Sequence, residues 1–464
     1  MSMAANNTVD TPTDRWVDLA RKPAPRYTSY PTAHSLEPGL MAEDYATWLA
    51  GIDGPFALYF HFPFCAERCT YCGCNVIASK RRAAAADYLT CLEREIQEVS
   101  EKLRLGARVT RMHWGGGTPT YYTPAQIESV MGSIKDAFTF AKNAEISVEV
   151  DPRVTTDEHL RTLRELGFNR LSIGVQDFTP AVQAMIGRVQ SVETTRLVVR
   201  NARSMGFDSI NVDLVYGLPL QTVKRIRETI DTVVGMRPDR VAIYGYAHLP
   251  EHFAHQRRID SEAVPGIEER WKLERAARGR LIEAGYVEVG LDHFALPEDD
   301  LAKAVAERTL HRDFMGYTTE RSATLVGLGV SSIGELPQGL VQNTKKLSSY
   351  RAALEAGHLP VVKGCRTGAD DHVRAEVIRR LMCDLEVRYD EIERTRGIRF
   401  DRTFEAELGE LRSPGGLIEI GVVHETPTGL VVDPAARTLV RNVCRVFDRR
   451  GREPKGSGRM SSSV

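Results

Sequence analysis

The amino-acid sequence predicts an α/β protein whose core is a partial (β/α)6 barrel. Six short runs rich in β-branched and aromatic residues alternate with longer amphipathic stretches, and this alternation is typical of a parallel sheet covered by helices. Six strands, rather than the eight of a closed barrel, favour an open one. The predicted strands are ALYFHF, RMHW, ISVEV, RLSIGV, SINVDLV and VAIYGY, with helices such as 87–103, 124–138 and 157–166 between them.

The composition is that of an ordinary globular protein, because the 464 residues carry a net charge of −1 and 42% of them are hydrophobic. Charged residues interrupt every apolar run, so no stretch is long enough to span a bilayer. The polar N-terminus lacks the basic start and apolar core of a secretion signal. A net charge near zero argues against general nucleic-acid binding. We therefore expect a cytoplasmic protein without membrane or nucleic-acid partners, and a monomer, since no exposed heptad stripe is evident.

A cysteine-rich loop follows the first predicted strand. Cys65, Cys69 and Cys72 form the pattern C-x3-C-x2-C, and Cys74 lies two residues further on. In a reducing compartment such a cluster indicates metal binding or redox chemistry rather than disulfides. Zinc sites usually pair two short cysteine motifs, and no second motif follows here. The spacing therefore favours an iron–sulfur cluster and leaves zinc as an open alternative.

Polar or glycine-rich residues follow the other predicted strands. Each one alone is explained by a turn or a helix cap. Their recurrence at the same end of successive strands predicts a pocket, since that end is the catalytic face of a β/α barrel. The residues in question are the GGGTPT segment at 115–120, Glu149, Asp151, Gln176, Asp177, Asp213, Tyr246 and His248.

The cysteine spacing, placed after the first strand of a partial barrel and followed by a glycine run, resembles the radical S-adenosylmethionine enzymes. The resemblance implies a radical-SAM barrel in which Cys65, Cys69 and Cys72 bind three irons of one [4Fe–4S] cluster. It also implies that the fourth iron is chelated by S-adenosylmethionine, whose reductive cleavage yields a 5′-deoxyadenosyl radical. Cys74 would then not be a ligand.

Further motifs, from about Pro25 to about Asp448, resemble the family of oxygen-independent coproporphyrinogen III oxidases. They are PRYTSYPTA, GGGTPTY, EVDPR, GVQDF, DLVYGLP, YAHLP, DHFALP and HRDFMGYTT. The implied reaction oxidatively decarboxylates two propionates of coproporphyrinogen III to vinyl groups and gives protoporphyrinogen IX for haem synthesis. It requires a reductant such as flavodoxin or ferredoxin and an electron acceptor.

The resemblance also assigns residues to two S-adenosylmethionine molecules. Four align with contacts to the molecule on the cluster, namely Tyr59, Gly116, Glu149 and Ile333. Seven align with contacts to the second molecule, namely Tyr71, Gly117, Thr118, Gln176, Arg188, Asp213 and Ala247. Without this alignment of motifs, the sequence favours a surface position for Arg188. The four propionates of the substrate call for cations, for which Arg26, Lys80, Arg257, Arg258 and Arg312 are candidates.

Two other functions remain open. A haem chaperone of the same superfamily would share the barrel and the three cysteines, but such proteins generally lack RYTSYPTA and the Cys74 position. A zinc- or DNA-binding protein is favoured only when the cysteine loop and the C-terminal region are considered separately. That region is too acidic for a clear basic recognition helix.

The sequence divides into five predicted segments. An N-terminal arm covers 1–50, the partial barrel covers 51–300, and a barrel-closing and connecting segment covers 301–365. A smaller, mainly helical domain at 366–448 ends in a predicted hairpin, LIEIGVVHETPTGLVV, and is therefore winged-helix-like. The basic, Gly- and Ser-rich tail at 449–464 is predicted to be disordered.

Overall fold

A computed structural model describes residues 13–320, 324–452 and 462–464 of the chain. A single large sheet dominates this structure and contains twelve strands. In chain order they are β1 Pro55–Phe62, β2 Arg108–Gly116, β3 Phe140–Val150, β4 Arg170–Gln176, β5 Ser209–Tyr216, β6 Arg240–Gly245, β7 Val287–Val289, β8 His293–Ala295, β9 Leu325–Leu328, β10 Ile333–Leu336, β11 Gly339–Asn343 and β12 Val361–Arg366.

The six predicted strands are adjacent and parallel in this sheet, which runs β12-β11-β10-β9-β1-β2-β3-β4-β5-β6-β8-β7. The predicted α/β fold with a partial barrel is therefore confirmed. One further strand, β9, pairs in parallel with β1, with Leu58 opposite Val326. The sequence does not indicate β9, because this run of four residues contains a glycine and resembles a loop. The remaining outer strands pair antiparallel and extend both edges.

Helices cover the outer face of the parallel strands. In β2 the side chains alternate, so that Met112 and Trp114 are fully buried while His113 is half-buried. The helices at 124–137, 157–165, 192–204 and 223–236 each begin after a Thr or Ser whose hydroxyl accepts a backbone N–H. The helices are α1 Asp14–Arg21, α2 Ala42–Ala50, α3 Arg82–Ser100, α4 Pro124–Ala137, α5 Asp157–Glu165, α6 Pro180–Ile186, α7 Val192–Ser204, α8 Val223–Met236, α9 Ile267–Glu283, α10 Asp300–Ala306, α11 Leu347–Glu355, α12 Ala369–Asp384, α13 Tyr389–Arg396, α14 Phe400–Thr403, α15 Glu405–Arg412 and α16 Val440–Phe447.

The C-terminal region is mainly helical, as predicted, and comprises α12–α16 with a small three-stranded sheet. The hairpin consists of Val423–Thr426 and Gly429–Val432, and Glu386–Arg388 pairs with its second strand. The predicted hairpin began earlier, but residues 417–421 form turns. The predicted segment boundaries stay predictions.

The N-terminal arm joins the barrel to the C-terminal region. Trp16 stacks on Trp271 of α9 with ring centroids 6.3 Å apart, and its Nε1 donates to the Ile420 carbonyl at 2.7 Å. Asn442 Nδ2 on α16 donates to the Leu19 carbonyl at 3.2 Å. Because these contacts join the arm both to α9 and to the C-terminal region, the arm orients the C-terminal region against the barrel.

The described parts of the tail are packed, which differs from the predicted disorder. The Arg450 guanidinium pairs with Asp371 at 2.7 Å, and the backbone N–H of Ser463 donates to the Ala20 carbonyl at 3.0 Å. Residues 453–461 lie outside the described residues. Among the residues that the structure does describe, no helix is both long and apolar enough to cross a membrane.

Candidate active site

A cavity of about 1250 Å³ opens at the carboxyl ends of the parallel strands. Pockets for one small ligand usually occupy roughly 300–1,000 Å³, so this cavity has room for more than one molecule. Every residue predicted to bind the cluster or S-adenosylmethionine lines it. These are Tyr59, Cys65, Cys69, Tyr71, Cys72, Gly116, Gly117, Thr118, Glu149, Gln176, Arg188, Asp213, Ala247 and Ile333.

The cysteine loop is held by backbone contacts on both sides. The short strands Phe64–Cys65 and Ile77–Ala78 pair in parallel and close its base. The Thr70 N–H donates to the Ile186 carbonyl at the end of α6, at 2.9 Å. His255 Nε2 lies 2.6 Å from the Cys72 carbonyl, on the opposite side of the loop. These contacts fix the loop at the rim of the cavity.

The thiols of Cys65 and Cys69 have different neighbours. Cys65 Sγ lies 3.4 Å from the Thr118 hydroxyl, and the Cys69 sulfur faces two guanidinium groups, those of Arg153 at 3.8 Å and Arg188 at 3.9 Å. Within the described ranges, no three His, Cys, Asp or Glu side chains converge as ligands of a single metal ion. The thiolates of a four-iron cluster each bind a different iron and need no such convergence.

The glycine run packs against the protein itself. A Cβ on Gly117 would lie 2.7 Å from the Phe62 carbonyl oxygen, and one on Gly115 would lie 2.8 Å from Glu149 Oε1. Gly116 has φ +110°, and its N–H donates to Glu149 Oε2 at 3.1 Å. The absence of side chains therefore lets the end of β2 approach β1 and the Glu149 carboxylate.

Glu149 is the acceptor of a small network at the end of β3. Burial raises its pKa, but the hydrogen bond and charge of His113, at 3.3 Å, and the Gly116 N–H together lower it below the ordinary value. Tyr59 stacks on His113, and its hydroxyl lies 3.0 Å from His61 Nδ1. Glu149 is therefore an ionised carboxylate at neutral pH, held at the cavity surface.

Arg188 is buried, so the surface position that the sequence favours without the motif alignment is wrong. Its Nη1 lies 3.0 Å from Asp151 Oδ2, and its Nη2 donates to the Gly174 carbonyl at 2.6 Å. Its Nε is buried and has no hydrogen-bond partner. Asp151 also accepts from Arg153 at 2.7 Å. Burial raises the pKa of Asp151, but the two guanidinium groups lower it below its ordinary value.

Asp213 lies within β5 and lines the same cavity. Its two carboxylate oxygens accept from the Ser172 hydroxyl at 2.7 Å and from Asn211 Nδ2 at 2.8 Å. Burial raises the pKa of Asp213, and the negative charge of Glu149 adds to the effect. The side chain is thus oriented by its neighbours, while it still faces the cavity.

Some cavity residues were missing from the sequence analysis. His61, His113 and Tyr244 lie on strands that were predicted, and the alternation of side chains along a strand could have identified them. Arg270 and Arg441 lie on helices, where no local signal distinguishes them from solvated arginines. Of the five candidate propionate cations, Arg26 and Arg312 line the cavity, whereas Lys80, Arg257 and Arg258 do not.

Three comparisons relate the chain to known proteins. A model of the Radical SAM superfamily matches residues 59–233. Oxygen-independent coproporphyrinogen III oxidase from Pseudomonas aeruginosa is 40% identical over 449 residues, which cover 94% of this chain and 96% of that protein. The protein of that name from Escherichia coli is 39% identical over 425 residues, covering 91% and 92%. A solved structure of coproporphyrinogen III oxidase (HemN) from Escherichia coli, described as a radical SAM enzyme, has a TM-score of 0.87 and 39% identity, and covers 91% of this chain and 97% of its own.

Proposed function

The chain belongs to the family of oxygen-independent coproporphyrinogen III oxidases, and on that premise we propose that the cavity described above is its active site. The protein is a radical S-adenosylmethionine oxidoreductase with a [4Fe–4S] cluster. It oxidatively decarboxylates two propionates of coproporphyrinogen III to vinyl groups and forms protoporphyrinogen IX. The observation that supports the site is that the residues assigned by motif, from distant parts of the sequence, all line one cavity.

The donor groups in the cavity fit these cofactors. Cys65, Cys69 and Cys72 supply three soft thiolate ligands on one fixed loop, as an iron–sulfur cluster requires. Arg188 keeps a buried Nε without a partner, which leaves a hydrogen-bond donor for a carboxylate. When bound, the cluster and S-adenosylmethionine supply the one-electron chemistry that removes hydrogen from a propionate side chain.

The residues of the chain position the ligands for this chemistry. Glu149 and Asp213 present oriented carboxylate oxygens that suit an ammonium group and ribose hydroxyls, respectively. Arg188 suits the carboxylate of the second S-adenosylmethionine, because its positive charge attracts the carboxylate and its Nε is a hydrogen-bond donor without a partner. Such positioning matters in radical chemistry, since a reactive group misplaced by about 1 Å can lose on the order of 10²-fold in rate.

Three features of the working enzyme belong to the same proposal. We propose that a small reductant such as flavodoxin or ferredoxin supplies electrons to the cluster, and that the enzyme is a cytoplasmic monomer. The cysteine loop is partly exposed, which supports the proposed reductant, because a protein that donates electrons must approach the cluster closely. Size-exclusion chromatography with light scattering tests whether the enzyme is a monomer, and a dimeric mass would contradict that part of the proposal.

The test of the site compares cysteine variants after anaerobic reconstitution. We expect the wild type to load about four irons per chain. Alanine at Cys65, Cys69 or Cys72 abolishes stable loading, because each change removes a ligand to a different iron. The matched control is Cys74→Ala, which keeps the iron content. Tight zinc binding without iron, or full loading in the three variants, would contradict the assignment.

A further inference from the structure

A wall of the cavity far from the cysteine motif in sequence carries an unusual number of arginines. Arg270 comes from α9, Arg312 from the short strand His311–Asp313, and Arg441 from α16 of the C-terminal region. Arg26, from the N-terminal arm, lies at the same wall. Four separate parts of the chain therefore bring positive charge to one place.

These arginines have few negative partners. None of the ion pairs among the described residues involves Arg270 or Arg441. Arg312 lies 3.8 Å from Asp292, at the limit of an ion pair. Arg270 is 7% and Arg441 6% exposed, so both charges are removed from most of the solvent. Burying a charge without a partner is costly, which indicates that a ligand supplies the missing anions.

The hydrogen bonds that Arg312 and Arg441 donate go to neutral groups. The Nε atoms of Arg270, Arg312 and Arg441 are buried and have no hydrogen-bond partner. Arg441 Nη2 donates to the Ser462 carbonyl, and Arg312 Nη1 donates to the Arg26 carbonyl at 2.9 Å. These acceptors are neutral. Burial, with the charges of Arg26 and Arg312, lowers the pKa of Arg441 to about 10, although the charge of Asp292 opposes the effect.

The surroundings favour a bulky ligand. A Cβ on Gly245 would lie 3.4 Å from Arg270 Nη2 and 3.0 Å from the Tyr216 hydroxyl, so the strand ends approach Arg270 closely. Tyr216, Tyr244 and Tyr246 line the cavity around these charges. An aromatic surface beside guanidinium groups suits a large ring system that carries carboxylates.

We propose that Arg270, Arg312 and Arg441 form a carboxylate-binding subsite that holds propionate groups of the porphyrinogen. This inference rests on the proposed function, and it assigns a substrate-binding role to the C-terminal region. The region contributes Arg441 to the cavity, so it completes the site.

The experiment measures binding of coproporphyrin III, the oxidised and fluorescent form of the substrate, to the cluster-loaded enzyme under anaerobic conditions. Arg270→Gln and Arg441→Gln each weaken binding at least about tenfold, equivalent to about 1.4 kcal/mol. Neither change alters the affinity for coproporphyrin III tetramethyl ester, which carries no carboxylates. Arg257→Gln, at an exposed arginine outside the cavity, is the matched control and leaves both affinities unchanged.

Further measurements separate a binding effect from misfolding. Iron content remains at the wild-type level, and the variants unfold at temperatures no lower than the wild type, because the change removes a buried charge without a partner. If Arg441→Gln does not fold, Arg270→Gln alone tests the subsite. Arg441→Lys, which keeps the positive charge, is then measured in place of Arg441→Gln. Equal affinities for coproporphyrin III in the folded variants and the wild type would overturn the subsite. A wild type that binds coproporphyrin III yet never decarboxylates the porphyrinogen would overturn the proposed function instead.

Discussion

Arg188 and Asp151 form a buried ion pair directly beside the cysteine loop. Arg188 Nη1 lies 3.0 Å from Asp151 Oδ2 and 3.9 Å from Cys69 Sγ. The pair connects the segment after α6 to the end of β3, two parts of the chain that are 37 residues apart. Because Asp151 also binds Arg153, the carboxylate keeps a partner when Arg188 is replaced.

That arrangement makes Arg188 a suitable residue for testing the second S-adenosylmethionine site. We expect Arg188→Gln to bind one molecule of S-adenosylmethionine fewer than the wild type, with unchanged iron content, because the carboxylate of the second molecule loses its guanidinium partner. Anaerobic equilibrium dialysis gives the stoichiometry. Arg196→Gln, at an exposed arginine of α7, serves as the control. Wild-type stoichiometry in Arg188→Gln would contradict the assignment.

The glycine run gives a prediction about stability rather than binding. Gly117→Ala places a Cβ 2.7 Å from the Phe62 carbonyl oxygen, a backbone atom that cannot move aside easily. We expect a loss of about 1–3 kcal/mol in the free energy of unfolding, as for other overpacked sites. The control Gly132→Ala, in α4 with open space around it, stabilises the protein by up to about 1 kcal/mol. An unchanged midpoint of urea unfolding for Gly117→Ala would show that the clash is relieved.

Glu274 makes the stability depend on pH. Burial raises the pKa of its carboxyl from 4.5 to about 7. Below pH 4.5 the Glu274 carboxyl is protonated in both the folded and the unfolded protein. Between pH 4.5 and about 7 it ionises in the unfolded protein but stays protonated in the folded one. The free energy of unfolding that this group contributes therefore falls as the pH rises to about 7. Glu274→Gln therefore raises the Tm at pH 8 but not at pH 4. The exposed Glu283→Gln, also on α9, is the control, and equal Tm gains at both pH values would contradict the argument.

The N-terminal arm supports the orientation of the C-terminal region. Trp16→Ala removes the stack on Trp271 and the hydrogen bond to the Ile420 carbonyl. We expect a loss of about 2 kcal/mol in the free energy of unfolding, in line with the burial of one large side chain. Arg15→Ala, which removes only an exposed ion pair with Glu419, changes stability by less than about 1 kcal/mol. Similar losses in the two variants would show that the arm is not held through Trp16.

The sequence predicted those parts of the site that depend on local pattern. The cysteine spacing and most of the polar residues after the strands identify the rim of the cavity, because parallel strands end at one edge of the sheet. Asp177 and His248 do not line the cavity, so the prediction was wrong for these two residues. Arg270 and Arg441 could not be found in this way. Each lies on a helix, and only the docking of α9 and α16 around the cavity places them at one wall. The strand β9 could not be predicted because its four residues include a glycine and resemble a loop. Its partner β1 also lies far away in the sequence.

Conversion of the porphyrinogen tests the central claim most directly. The reconstituted and reduced protein is incubated without oxygen with coproporphyrinogen III, S-adenosylmethionine and an electron acceptor, and products are separated by liquid chromatography with mass detection. We expect protoporphyrinogen IX, with the loss of two carboxyl groups from each substrate molecule, and no product from Cys69→Ala. Stoichiometric haem binding by the intact, cluster-loaded protein, without any decarboxylation of the porphyrinogen, would contradict the account and favour a haem chaperone.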